Sequence, residues 1–317
     1  MKNHARNRPS QRKTGRKSAD KSNSNGQNSG QKMNLRSRGI KGAALDAPKR
    51  ASGMRSHGAT SAPRSPKKRN QSKHEGGSGW IYGTHACLAA LSNPRRTIHE
   101  LLLTEAAANR LTLPTGGTLP QIVDSHHLDR KLPKGTVHQG IALKTAPLEW
   151  PALEVLADAA PENGLILVLD QITDPHNVGA MLRLSSAFGV SALVMQNRKA
   201  PPLSGALAKV AVGCLETVPV CLETNIANTL LNLQRIGWTV TGLAGETELE
   251  LSKALHPGTK QVIVMGAEGS GLRERVRKTC DQLAKIPMMS QAVLGQAESL
   301  NVATAAGIAL YEARRDK

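Results

Sequence analysis

No stretch of about 18 apolar residues occurs in this 317-residue chain, so the sequence offers no membrane-spanning helix. No apolar run follows its first charges, as a secretion signal would require. Cysteine is scarce too: Cys87, Cys214, Cys221 and Cys280 form no C-x-x-C pair and no Cys/His cluster with ligand spacing. They are expected to be buried thiols of a reduced, cytoplasmic protein. His126, His127 and His138 lack ligand partners at useful spacing, so no metal is expected. The first 75 residues contain no aromatic residue and very few β-branched ones. Such a segment cannot bury enough apolar surface to offset its ordering entropy. An Arg- and Ser-rich, acid-poor start could mimic an organelle transit peptide, but its length and its Asn and Gly content speak against that.

What the chain does have is positive charge, placed very unevenly. Residues 1–75 hold 20 of the 42 Lys and Arg but only 3 of the 24 acids, a net +17, which leaves +1 for everything after them. Residues 1–77 therefore read as a disordered basic arm, either a solubilising extension or, as preferred here, a polyelectrolyte that adds phosphate contacts. The remaining length suits two domains and a sizeable core.

Beyond the arm, residues 79–93 read as a short strand or turn entering a helix. A strand at 99–103, a helix at 105–110, a short apolar run at 121–123, a turn of helix near Leu128 and a strand at 137–143 follow. This alternation predicts a small α/β domain over 78–146, and Pro147, Pro151 and Pro161 mark a connector over 147–163. In the domain after it, 164–317, strands at 165–169, 192–195, 218–220, 238–243 and 261–265 alternate with helices near 178–188, 203–212, 226–235 and 273–280. Apolar runs of this length between helical patterns predict a parallel sheet covered on both faces. The last helix, 300–312, is small and apolar nearly all round, which predicts burial.

Three segments carry chemistry. In LDQITDPHNVGAMLRLSSAFGV (169–190) an apolar strand meets a helix through a Pro-containing turn, and Arg183 stands among apolar neighbours. It is either a snorkelling surface residue or an electrostatic tool. Asn177 stands where a helix cap would. In VIVMGAEGSGL (262–272) a strand ends in Gly266, Glu268, Gly269 and Gly271, a G-x-x-G-x-G run that is neither the dinucleotide fingerprint nor a P-loop. Its glycines permit positive φ and close main-chain approach, as in a tight turn or a loop wrapped around a ligand. Finally IPM (286–288) precedes SLNVATAAGIALYEARR (299–315), where Ser299 and Asn301 open the last helix.

In this order and spacing the three segments, together with TVHQGI at 136–141, resemble the SpoU (TrmH-type) 2'-O-ribose RNA methyltransferases of the SPOUT superfamily. The resemblance covers residues 79–315. It implies a trefoil-knotted α/β methyltransferase domain preceded by a module similar to ribosomal protein L30e, which helps select the RNA. It further implies S-adenosyl-L-methionine as methyl donor, no metal, a homodimer and a ribose substrate, preferably a guanosine of 23S rRNA. A tRNA ribose, or RNA binding without catalysis, are the alternatives. Arg183 takes the catalytic position, as electrostatic support for the developing alkoxide rather than as a base, since a guanidinium keeps its proton. Asn177, Glu268, Ser299 and Asn301 are assigned to the same site, and Gly266, Gly269, Gly271, Ile286, Met288 and Leu300 to the cofactor. The segment 289–298 is longer than in related enzymes, and Ala303 stands where many have Ser.

Were the arm to touch six to ten phosphates, RNA affinity would fall by about 10³ to 10⁵ between 50 and 200 mM salt. Deleting residues 1–75 is expected to flatten that slope in a salt titration of RNA binding; an unchanged slope removes the arm from recognition.

Overall fold

The computed structural model describes residues 79–115, 117–256, 258–289 and 299–315. The expected disordered arm, and nearly all of the long segment 289–298, lie outside the described residues.

The first module is a four-stranded sheet of β1 (Trp80–Tyr82), β2 (Ile98–Leu103), β3 (Gln121–Ile122) and β4 (Ile141–Thr145) in the order β1-β4-β2-β3. β4 runs antiparallel to both its neighbours, and β3 is parallel to β2. Its helices are α1 (Thr84–Ser92), α2 (Glu105–Arg110) and α3 (Ser125–Lys131). α2 and α3 begin where side chains supply caps: Thr104 accepts from the Ala107 N–H, and Asp124 from the His127 N–H. The strand anticipated from residue 137 starts only at Ile141. Gln139 (φ 58°) and Gly140 (φ 80°) break the extended run. A Cβ on Gly140 would stand 2.5 Å from Thr104 Oγ1, so the turn is closed against the cap of α2.

The second sheet has six strands, β5 (Leu165–Asp170), β6 (Ala192–Gln196), β7 (Val220–Glu223), β8 (Thr239–Leu243), β9 (Gln261–Gly266) and β10 (Gln282–Ala284), in the order β10-β8-β9-β5-β6-β7. All pairings are parallel. Every residue of β5 is buried, as a central strand covered on both faces must be. Its alternate residues feed two cores. Leu165, Leu167 and Leu169 pack with α5 (Pro175–Ala187), α6 (Gly205–Ala211), α8 (Leu251–Ala254) and α10 (Val302–Arg314). Ile166 and Val168 pack with α4 (Leu153–Asp158), α7 (Ile226–Arg235) and α9 (Glu274–Thr279). In α7 the buried Ile226, Leu230 and Leu233 recur at i, i+4 and i+7, the spacing that gave the helix away in the sequence. β10 and α8 had no such signal, being three and four residues long.

From β5 the chain advances through β6 and β7 to one edge, whereas β9 leads to β10 at the other. The carboxyl ends of β5 and β9 thus flank a crevice where the winding reverses, the place an open parallel sheet offers to ligands.

α10 is less enclosed than its composition predicts. Val302, Ala303, Ala306, Ala309 and Leu310 are buried, but Ile308 is 38% and Tyr311 55% exposed. The helix lies along α5, close enough that a Cβ on Gly307 would touch Leu184 at 3.4 Å. α5 in turn is pressed onto α6, where a Cβ on Gly179 would come within 2.7 Å of Val210 Cβ. At the far end Arg314 donates from Nε to Phe188 O (2.8 Å), from Nη2 to Gly189 O (2.9 Å) and from Nη1 to Asn163 O (2.8 Å). Phe188 and Gly189 lie just past the carboxyl end of α5, where a cation is of the favourable sign, and Asn163 precedes β5, so one side chain ties both segments to α10. Arg314→Ala is expected to destabilise the chain by about 2 kcal/mol through these charge-assisted bonds, read as a lower urea midpoint at unchanged m.

Candidate active site

The crevice is built from the strand ends upward. β5 delivers Asp170, whose carboxylate is fully buried and accepts from the Arg273 backbone N–H (2.9 Å) and Nε (2.8 Å). This pair ties the far side of the glycine loop to the central strand. Neither residue was singled out from the sequence, although an acid ending a six-residue apolar strand was a visible sign.

β9 delivers Gly266, and here a side chain is impossible. A Cβ would stand 2.3 Å from Gly271 C and 2.5 Å from Leu272 N. The loop folds back on itself, with Ala267 N–H donating to Gly271 O (3.1 Å) and Gly271 N–H to Ala267 O (2.9 Å). Gly269 (φ 79°) and Gly271 (φ 63°) make the turn, and nothing lies within 4 Å of where their Cβ atoms would be. The loop is therefore a tight turn and, on that open side, bare main chain available to a ligand.

Its tip carries Glu268, exposed but not idle. Oε1 accepts from Asn301 Nδ2 (2.9 Å), the Val302 backbone N–H (3.2 Å) and Asn177 Nδ2 (3.4 Å). Asn301 Nδ2 also donates to Asn177 Oδ1 (3.0 Å), while its Oδ1 caps α10 by accepting from Ala303 and Thr304 N–H. Three assigned residues, 124 positions apart at the extremes, thus close into one hydrogen-bonded node. The cap expected at Asn177 is provided instead by Asp174, which accepts from His176 N–H at 3.0 Å, and Asn177 stands inside the first turn of α5. A Pro at the first helical position and an acid before it fix that start, leaving the Asn177 amide for the node.

Arg183 is exposed on α5, six residues beyond Asn177 and so about 9 Å further along the axis. Among the described residues its guanidinium has no hydrogen bond or ion pair. Near the carboxyl end of β5, Gln171 adopts positive φ (63°) and its Oε1 accepts from Lys199 Nζ at 3.2 Å, adding a second cation that the sequence did not flag. Ile286 is half-buried against the core, Leu300 is half-buried ahead of α10, and Met288 (42%) and Ser299 are exposed. No hydrogen bond joins Met288 or Ser299 to the node among the described residues. A cavity of about 240 Å³ between α4 and α7 lies on the opposite face of the sheet and contains none of these residues.

The node's geometry gives Glu268 a measurable weight. Glu268→Ala removes a charged acceptor serving three donors, about 2 kcal/mol of loop ordering, and is expected to weaken S-adenosylmethionine binding roughly 30-fold in calorimetry. Glu268→Gln keeps the acceptor oxygen at about half the strength and is expected to lose roughly 5-fold.

Comparison with known proteins agrees with this architecture. Residues 164–311 match the family model described as SpoU rRNA Methylase family, and residues 80–151 the one described as RNA 2'-O ribose methyltransferase substrate binding. The 23S rRNA (guanosine-2'-O-)-methyltransferase RlmB of Vibrio vulnificus is 39% identical over 246 residues, 75% of this chain and 97% of that protein. Its counterpart from Escherichia coli K12 is 36% identical over 245 residues, 75% of this chain and 98% of that protein. An AdoMet-bound rRNA methyltransferase structure from Sinorhizobium meliloti superposes with a TM-score of 0.61 at 24% identity, covering 75% of this chain and 87% of that one, a likeness of fold. With relatives this similar along nearly their whole length, the chain belongs to the SpoU rRNA methylase family.

Proposed function

We propose that this chain methylates the 2'-hydroxyl of a guanosine ribose in 23S rRNA, using S-adenosyl-L-methionine. The observation that carries the reading is the node of Asn177, Glu268 and Asn301, because it joins the glycine loop to the start of α5 and the start of α10 at the switch point of a parallel sheet. The two relatives named for this reaction supply the substrate. The donor, when bound, supplies an electrophilic methyl group on a sulfonium.

The residues present fit such a donor. Open main chain at Gly269 and Gly271 suits the polar edge of an adenosine, and half-buried Ile286 and Leu300 with Met288 offer apolar walls to its base and ribose. Gly266 acts by letting the loop close. Arg183, whose guanidinium has no partner among the described residues, stands on the helix that the node fixes and is assigned to hold the RNA phosphate beside the target and to stabilise negative charge growing on the 2'-oxygen. The proton leaves the 2'-oxygen for solvent or that phosphate, because a guanidinium does not accept one. Ser299 and Asn301 hold the sugar and the start of α10; Asn177 and Glu268 hold the frame.

The finer architecture belongs to the same reading. Residues 78–146 form an L30e-like RNA-selecting module, 147–163 a connector, and 164–317 a knotted catalytic domain in which α10 is the threaded segment, supported by its packing along α5 and β9. Residues 1–77 supply positive charge for phosphate contacts. The chain works in the cytoplasm as a homodimer, with the exposed apolar Ile308 and Tyr311 of α10 covered by a second copy.

Arg183→Ala is expected to lower kcat by about 10² to 10³, the usual cost of one oxyanion donor, with donor and RNA affinities within about twofold. Ribose-methylation profiling of rRNA and tRNA from cells with and without the gene tests the substrate. Loss of one 23S guanosine methylation is the expected result; a methylation lost only from tRNA overturns it.

A further inference from the structure

The turn between α1 and β2 sends Arg96 into a seam with the catalytic half of the chain, where it meets Glu216 from a short 3-10 turn ahead of β7. The pair is bidentate: Nε donates to Oε2 at 3.0 Å and Nη2 to Oε1 at 2.6 Å. The two side chains are only 2% and 4% exposed. Asn93 Nδ2 donates to Oε2 of the same carboxylate at 2.8 Å, and Arg96 Nη1 donates to Ala146 O at 2.9 Å, where the first module ends. Glu216 therefore accepts from both residues of one turn, and Arg96 holds the departing chain as well.

The surroundings are as close-fitting. A Cβ on Gly213 would stand 2.6 Å from Ala89 Cβ of α1. Gly205, opening α6, lies against Tyr82, where a Cβ would be 3.7 Å from the phenol oxygen. Ile81, Ala86, Cys87 and Ala90 of the first module share one buried core with Leu207, Ala208, Ala211 and Leu215 of the second. A tethered module on a loose linker would show none of this: a buried charge pair is costly unless its geometry is held, and a shared apolar core does not slide.

We propose that Arg96, Asn93 and Glu216 are positioning residues that lock the RNA-selecting module to the catalytic domain of the same chain. The enzyme then reads a structured RNA at one fixed spacing between recognition element and target ribose. This rests on the functional reading above. It assigns the seam a role in substrate choice: an RNA that offers the target nucleotide without the distant element meets only half of the rigid surface.

The test uses the full chain with Glu216→Gln, which removes the charge at constant shape, and Asn93→Ala as a milder second variant. Hydrogen exchange of α1 and residues 205–216 reports the seam without RNA. Methylation of a long structured rRNA fragment and of a short hairpin bearing only the target reports its use. Expected for Glu216→Gln are faster exchange at the seam, KM for the long fragment raised about tenfold, kcat at saturating RNA and donor affinity unchanged, and a reduced preference for the long fragment. Arg96→Lys, which keeps the charge without the planar fork, should fall between parent and Glu216→Gln. Seam exchange equal to the parent's, or faster exchange with unchanged KM, overturns the proposal. So does a parallel loss of donor affinity and kcat, the mark of general damage. If the parent methylates neither RNA, the functional reading fails instead, and the exchange result still stands for the seam.

Discussion

Oxygen Oε1 of Glu268 is the point where the site is assembled. One donor comes from an α5 side chain, one from the Asn301 side chain and one from the α10 backbone, so the loop after β9 and the starts of two helices share a single acceptor. No one of these bonds is strong in an exposed setting. Their value is geometric, because each element's position is then fixed by the other two. Below the node the buried Asp170 carboxylate does the same for the loop's far side through Arg273. A glycine loop that would otherwise sample many conformations is held at both ends.

Rigidity has a chemical purpose in methyl transfer. Donor and acceptor must lie in line at near-contact distance, and alignment of this kind can supply about 7 to 11 kcal/mol of a barrier. The cation is treated differently from the frame. Arg183 is exposed and carries no partner within the described residues, while the helix bearing it is clamped at one end by the node and at the other by Arg314.

Much of this could be read from residue order. The parallel sheet was visible because each central strand is a continuous apolar run, and α7 because its apolar residues repeat at helical spacing. The glycine run 266–271 was legible because Gly266 tolerates no Cβ at all. The cap of α5 falls on Asp174 and not on Asn177, since both are good capping residues and only the backbone path through Pro175 decides between them. The acid closing β5 marks Asp170 locally, but its partner Arg273 and the pair of Arg96 with Glu216 were not legible, because the partners stand over 100 positions apart and no local pattern says which residues will meet. The exposure of Ile308 and Tyr311 was hidden for another reason: composition reports that a helix face is apolar, not how much of it the chain's own elements reach.

α10 brings a last consequence. Its cap residue Asn301 joins the node at one end, and Arg314 in its last turn binds carbonyls just past the other end of α5. A substitution that unwinds α10 would therefore loosen the glycine loop and both ends of α5 together, so damage to this one helix spreads to elements distant from it in sequence.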